Sequence, residues 1–197
     1  MNKTIEYYNK NSQKLCERYN SVDLSVLHND LLEFFRKSET LLEIGSGSGR
    51  DMSFMIQNGF EVFGIDGSEK MIRNAVYSYP ELKNRLFLSE LPENSHLFDI
   101  KFDGMYSIAT LMHLNKDELN LFLKKVKLFL NPDSLVFISV SGQRGSQKDN
   151  RFFMELSKDE WIRIFQFNNF EILKVKENKD LSGREIDWYS FFLKTVS

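Results

Sequence analysis

The chain has 197 residues, with 26 Lys and Arg against 28 Asp and Glu, a formal net charge of −2, and 42% hydrophobic residues that include 18 Phe. That length and apolar content suit one folded domain with a single buried core, and the charge balance carries no overall basic footprint for nucleic acid. A lone cysteine, Cys16, excludes an internal disulfide; with no signal-type apolar core and no run of membrane-spanning length, a cytoplasmic protein is expected.

From Asp23, a candidate N-cap, apolar residues recur at Leu24, Leu27, Leu31 and Phe34, so 1–38 reads as one or two helices ahead of the first strand. Leu41-Leu42-Glu43-Ile44 has the length of a buried strand and breaks into glycines at alternate positions, Gly45, Gly47 and Gly49. An amphipathic helix carrying Met52, Met55 and Ile56 follows and stops at Gly59. Strand, glycine turn and helix start together make a nucleotide site: glycine reaches φ > 0 and approaches a ligand closely, and the helix start presents free N–H groups. The second strand, Glu61–Asp66, ends in a carboxylate 21 residues after Gly45, placed to accept hydrogen bonds from both hydroxyls of a ribose.

Further on, Glu69–Tyr79 is a helix ended by Pro80, and Arg85–Ser89 is a third strand. Phe102–Thr110 reads as the fourth strand and leads into Leu111-Met112-His113-Leu114. The helix Asp117–Leu130 stops before Pro132, and Leu135–Val140 is a fifth strand. After a polar loop over 141–150, Ser157-Lys158-Asp159-Glu160 is a capping box for a helix burying Trp161, Ile164 and Phe165. Phe170–Val175 and Trp188–Val196 close the chain as two strands. Alternation through the first five strands argues a parallel α/β sheet, with an antiparallel end.

The glycine spacing discriminates among nucleotides. A dinucleotide fingerprint needs its third glycine where Arg50 stands, and no G-x-x-x-x-G-K-[S/T] phosphate loop is present. Glu43-x-Gly45-x-Gly47-x-Gly49 instead resembles the first motif of the class I S-adenosylmethionine-dependent methyltransferases, and Asp66-Gly67-Ser68 with Met71 resembles the second. Tyr7-Tyr8-Asn9, Gly47–Asp51, Leu111-Met112-His113, Arg151-Phe152-Phe153 and Gly183-Arg184-Glu185 with Trp188 resemble one small bacterial branch of that family. The resemblance implies a Rossmann-like, seven-stranded, mostly parallel sheet with helices on both faces and an antiparallel last strand. It implies one methyltransferase domain over 1–197, with a helical cap over 1–38 and the α/β core over 39–197. It further implies S-adenosylmethionine as cofactor, bound by Glu43, Gly45, Gly47, Gly49, Asp66, Gly67, Ser68, Met71, Glu90, Leu91 and Ala109. Met71 would pack on the adenine and Glu43 would face the ammonium group; apart from the resemblance, Arg50 or Arg18 is a candidate for the methionine carboxylate.

Methyl transfer from a sulfonium is an in-line displacement in which orientation supplies up to about 7–11 kcal/mol. A general base, needed when the nucleophile carries a proton at attack, adds roughly 10²–10⁴-fold. His113, one of three histidines with His28 and His96, is the candidate base; the alternative is a histidine packed beside the cofactor without transferring a proton. Tyr8, Arg151, Arg184 and Trp188 are the candidate acceptor-binding residues, and Arg144 would join the two arginines as a clamp on an anionic acceptor. One Cys and three scattered His give no metal-ligand spacing. The Asn/Asp-Pro-Pro-Tyr motif of amino-methylating DNA enzymes is absent, and Cys16 lies far from the fourth strand, where a cytosine-C5 enzyme needs its nucleophile. The expectation is a monomeric or homodimeric methyltransferase acting on a small molecule, without a membrane partner. Its rivals are a tRNA or protein methyltransferase and a catalytically silent cofactor-binding module; a nicotinamide-binding protein is disfavoured by Arg50.

Overall fold

The computed structural model describes residues 2–37, 39–92, 99–142, 151–179 and 186–196. Seven strands, β1 (Thr40–Ile44), β2 (Glu61–Asp66), β3 (Leu86–Leu88), β4 (Phe102–Ile108), β5 (Leu130–Ser141), β6 (Phe170–Lys179) and β7 (Asp187–Thr195), form one sheet in the order β3-β2-β1-β4-β5-β7-β6. Strands β1 to β5 pair in parallel, and β7 pairs antiparallel with both β5 and β6, so β7 is the strand that runs against the rest.

Side-chain alternation along each strand divides the core into two layers. Leu42, Met105, Val136, Ile138, Phe191 and Leu193 face α5 (Lys116–Val126) and α6 (Lys158–Phe167), whose buried stripes are Leu119, Phe122, Leu123, Val126 and Trp161, Ile164, Phe165. Leu41, Val62, Tyr106, Phe137 and Phe192 face α2 (Ser25–Phe34), α3 (Arg50–Gln57) and α4 (Glu69–Ser78). Helix α1 (Lys3–Asn20) takes a different place: Leu15 and Cys16 pack on Met71 of α4, and its upper turns run across the carboxyl ends of the strands. Both α5 and α6 open on capping boxes, Asn115 with Glu118 and Ser157 with Glu160. Among the described residues, no helix is long and apolar enough to cross a membrane.

Several boundaries differ from the sequence reading, most clearly around β4 and β5. Helix α5 ends at Val126 and tightens into a 3₁₀ turn over Lys127–Phe129, and β5 starts at Leu130 rather than Leu135. The register jumps between Phe102–Leu130 and Gly104–Leu135, so Pro132, which lacks an N–H, sits in the stretch that the ladder skips. Strand β4 ends at Ile108 because Ala109 adopts φ 56°, a left-handed conformation that costs a non-glycine residue. A 3₁₀ turn over Leu111–His113 then carries His113 back towards the strand ends.

The order places the reversal of sheet growth between β1 and β4. In open α/β sheets, ligands bind outside the carboxyl ends of the strands at that point.

Candidate active site

The turn after β1 is built for close packing. Gly45 N–H and Ser46 N–H both donate to Ile65 O, at 2.8 and 3.0 Å, tying the turn to the end of β2. A Cβ on Gly45 would lie 2.1 Å from Thr110 Oγ1, so only glycine lets the tips of β1 and β4 meet. Gly47 N–H donates to Asp66 Oδ2 and Ser68 N–H to Asp66 Oδ1, each at 2.8 Å. Burial pushes the Asp66 carboxyl above the ordinary carboxylate range, partly offset by those two backbone donors.

These elements enclose a cavity of about 250 Å³. On its wall lie the predicted Gly45, Gly47, Asp66, Gly67, Ser68, Leu91 and Ala109, together with His113, Tyr8, Arg151 and Trp188. Helix α1 forms the roof. Ile5 Cδ1 is 2.8 Å from where a Cβ on Gly67 would stand, and Asn9 Oδ1 accepts from Ser68 Oγ (2.8 Å) and Lys70 N–H (3.2 Å) at the start of α4.

Four predicted cofactor residues stand elsewhere. Glu43 is 1% exposed and accepts from Tyr106 Oη at 3.3 Å, beneath the turn rather than on the cavity wall. Burial and the nearby Asp51 charge hold its carboxyl well above the ordinary range, against the Tyr106 hydrogen bond and Arg50. Gly49 faces Leu82 and Ala75. Met71 is wholly buried against Leu15 and Cys16, and Ile5 occupies the apolar cavity wall instead. Glu90 is exposed and borders a second cavity of about 470 Å³, while its neighbour Ser89 reaches the first. The predicted Arg184 and Arg144, and also His96, lie outside the described residues.

His113 is fixed at both nitrogens. Its Nδ1 lies 2.7 Å from Phe152 O, which only accepts, so Nδ1 carries the proton. In the neutral ring Nε2 is then an acceptor, and the Tyr8 hydroxyl, 3.1 Å away, donates to it. Arg151 Nη1 donates to the Tyr8 oxygen at 3.0 Å, with its guanidinium over the rings of Tyr7 (4.9 Å), Tyr8 (5.4 Å) and Phe153 (4.9 Å). Burial, reinforced by Tyr19, pushes the Tyr8 phenol well above its ordinary value, with Arg151 pulling the other way.

At the start of α3 a second polar group reaches the cavity. Arg50 donates to Asp51 through Nε (2.8 Å) and Nη2 (2.9 Å) and to Tyr19 O through Nη1, and His28 Nε2 lies 2.8 Å from Asp51 Oδ1. Burial raises the Asp51 carboxyl, but the hydrogen bonds from His28 and Arg50 outweigh it and hold the group below its ordinary range. Sequence reasoning passed over Asp51, His28, Ile5 and Phe153. The Arg-Asp pair at 50–51 was visible, but nothing in the spacing pointed to His28, which arrives from another helix.

A strand, glycine turn and helix with a carboxylate on the neighbouring strand tip, all beneath a helical roof, define a doubly wound nucleotide-cofactor protein. The chain belongs to the family described as methyltransferase domain, whose model matches residues 16–175. Over 133 residues it is 28% identical to an uncharacterized methyltransferase of Alkaliphilus oremlandii; the match covers 66% of this chain and 59% of that relative, less than two thirds of its length. Among solved structures, the Burkholderia thailandensis 1,6-didemethyltoxoflavin-N1-methyltransferase, with 1,6-didemethyltoxoflavin and S-adenosylhomocysteine bound, superposes with a TM-score of 0.78. It is 17% identical, over 99% of this chain and 88% of that one. An S-adenosylmethionine-dependent methyltransferase from Clostridium acetobutylicum gives 0.72 at 13% identity, over 96% and 99%. At these identities both likenesses speak for the fold.

Proposed function

We propose that the protein transfers a methyl group from S-adenosylmethionine to an O–H or N–H group of a small molecule. The observation that carries the reading is the roof: Ile5, Tyr8 and Asn9 of α1 close the cavity over Gly67, His113 and Ser68, which favours a small acceptor over a polynucleotide or a folded protein. The cavity fits the cofactor chemically. Asp66 retains lone pairs after its two backbone donors and would take the ribose hydroxyls, with Ile5, Gly67 and Leu91 as the apolar wall for the base. When bound, the cofactor supplies an electrophilic methyl group on a sulfonium.

The chain's own residues handle the proton. The acceptor's X–H donates to the Tyr8 oxygen. In a transfer that exchanges the donor's S–CH3 bond for X–C and leaves the thioether, that proton would move to Tyr8 and the Tyr8 proton would pass to His113 Nε2, giving an imidazolium that keeps its Nδ1–H on Phe152 O. Arg151 offsets the charge that develops on the phenol oxygen. His113 thus acts through Tyr8 rather than on the acceptor directly. The 1,6-didemethyltoxoflavin-N1-methyltransferase, by its name an enzyme that methylates at N1, supports a small-molecule acceptor of this kind.

The test begins with calorimetric titration of S-adenosylhomocysteine into wild type and Asp66→Ala, then a labelled-methyl screen of small O–H and N–H compounds beside total tRNA and a protein pool. Binding lost in the variant, with label in a small molecule, is expected. Label confined to tRNA or protein, or no binding by wild type, overturns the proposal.

A further inference from the structure

The cavity extends well past the turn after β1. It runs from Asp66 at the tip of β2 to Trp188 at the start of β7, and the sheet order β2-β1-β4-β5-β7 separates those strands by four spacings, about 19 Å. Asp66, the glycine turn and the Tyr8–His113 pair lie over β2, β1 and β4. The two spacings from β4 to β7, about 10 Å, remain for the acceptor, a length that suits one or two fused rings.

That end is walled by rings. Phe153 lies against His113, with centroids 4.6 Å apart, and the next residue anchors it, Met154 N–H donating to Met112 O at 2.7 Å. Trp188 rises from the sheet, paired with Ser141 of β5, whose N–H and hydroxyl each lie 3.2 Å from Met112 Sδ. Tyr8 closes the same end from α1. Among the described residues, the lining carboxylates are Asp51 and Asp66, and both stand at the other end, on α3 and β2. An aromatic box also suits an ammonium group. Here, however, the Arg151 guanidinium already lies 4.9 Å from the Phe153 centroid and 5.4 Å from that of Tyr8, and it would repel a second cation. Ring faces beside a guanidinium, away from any lining carboxylate, match a flat acceptor that is neutral or acidic.

We infer that the acceptor is an aromatic or heteroaromatic compound of one or two rings, with its O–H or N–H carried on the ring, stacked on Trp188 and flanked by Phe153. The inference rests on the small-molecule reading above and names its substrate class. Phe153 and Trp188 hold the ring plane so that its O–H or N–H meets the Tyr8 oxygen, and neither takes part in the proton relay.

The labelled-methyl screen tests this with phenol, catechol and uracil beside cyclohexanol and piperidine, and then with wider sets of ring and saturated compounds. Label in ring compounds alone is expected. On the best ring acceptor, W188L and F153L should each raise KM by about 2–12-fold, with kcat and S-adenosylhomocysteine affinity within about threefold, and W188F, which keeps a ring on β7, should restore KM to within about twofold. The chain has two tryptophans, and Trp161 is wholly buried in the core, so quenching of tryptophan fluorescence by that acceptor in S-adenosylhomocysteine-loaded protein reports Trp188. The quenching should vanish in W188F. Label in saturated alcohols or amines instead of rings, an unchanged KM in W188L, or quenching that survives in W188F overturns the inference and leaves the small-molecule reading standing. Label in no small molecule at all overturns the reading beneath it.

Discussion

Gly47 and Gly49 belong to one motif, yet alanine at each should fail in a different way. Gly49 has φ 78°, and an added Cβ would lie 2.5 Å from Leu82 Cδ1 and 3.0 Å from Ala75 Cβ, both wholly buried. The left-handed conformation costs an L-residue about 1–2 kcal/mol and overpacking a filled core about 1–3, so Gly49→Ala loses about 2–5 kcal/mol. At about 2.1 cal/mol/K per residue the unfolding entropy of this chain is about 0.4 kcal/mol/K, and Tm should fall by about 5–12 °C. Gly47 has φ 54°, but its Cβ would meet nothing closer than 3.9 Å and would stand on the cavity wall. Gly47→Ala therefore carries only the conformational cost, a Tm drop of about 2–5 °C. Its methyl group crowds the cofactor instead and should weaken S-adenosylhomocysteine by roughly 5–150-fold. Thermal melts give the first quantity, and titration at a temperature where both variants are folded gives the second. Unchanged Tm with lost affinity in Gly49→Ala, or a lower Tm in Gly47→Ala than in Gly49→Ala, would refute the division of labour.

Affinity for S-adenosylhomocysteine should fall as pH drops through the raised Asp66 value, because only the ionised carboxylate accepts both ribose hydroxyls; titrations that stay flat down to about pH 4, near the ordinary carboxylate value, contradict this. Glu43 has a folded-state pKa raised above its unfolded value, so its contribution to stability is full below the unfolded value and is lost as pH rises through the folded one. Glu43→Gln should accordingly flatten the decline of Tm that sets in above the ordinary carboxylate value, and a variant whose Tm falls as steeply as wild type over that range counts against that sign. Nitrogen NMR of histidine-labelled protein should show neutral His113 protonated on Nδ1; a proton on Nε2 would dismantle the Tyr8 relay.

Much of this is legible in the sequence, for physical reasons. The β1 and β2 tips announced themselves because a glycine turn and a terminal carboxylate are local chemistry, readable within a few residues of Gly45 and Asp66. The early start of β5 was missed because Pro132 usually bars a strand, and only the skipped ladder positions opposite β4 make room for it. Met71 lies off the cavity wall and Ile5 on it for another reason: which apolar side chain lines the cavity depends on how α1 lies across α4, a tertiary fact without a sequence period. The same holds for His28, brought to Asp51 by the packing of α2 on α3. Glu43 kept its place in the motif but not its expected neighbour, because a strand residue two positions before the turn points into the layer beneath it.

Helix α1 has one more consequence. Ile5, over the base-binding wall, and Tyr8, in the proton path, are three residues apart on the same rigid rod. Under the proposed relay, any displacement of that rod from the cavity would take the phenol away from His113 as well. Entry past α1 and an intact relay would then exclude one another, an interlock in which the Tyr8–His113 contact is made only while the helix is seated.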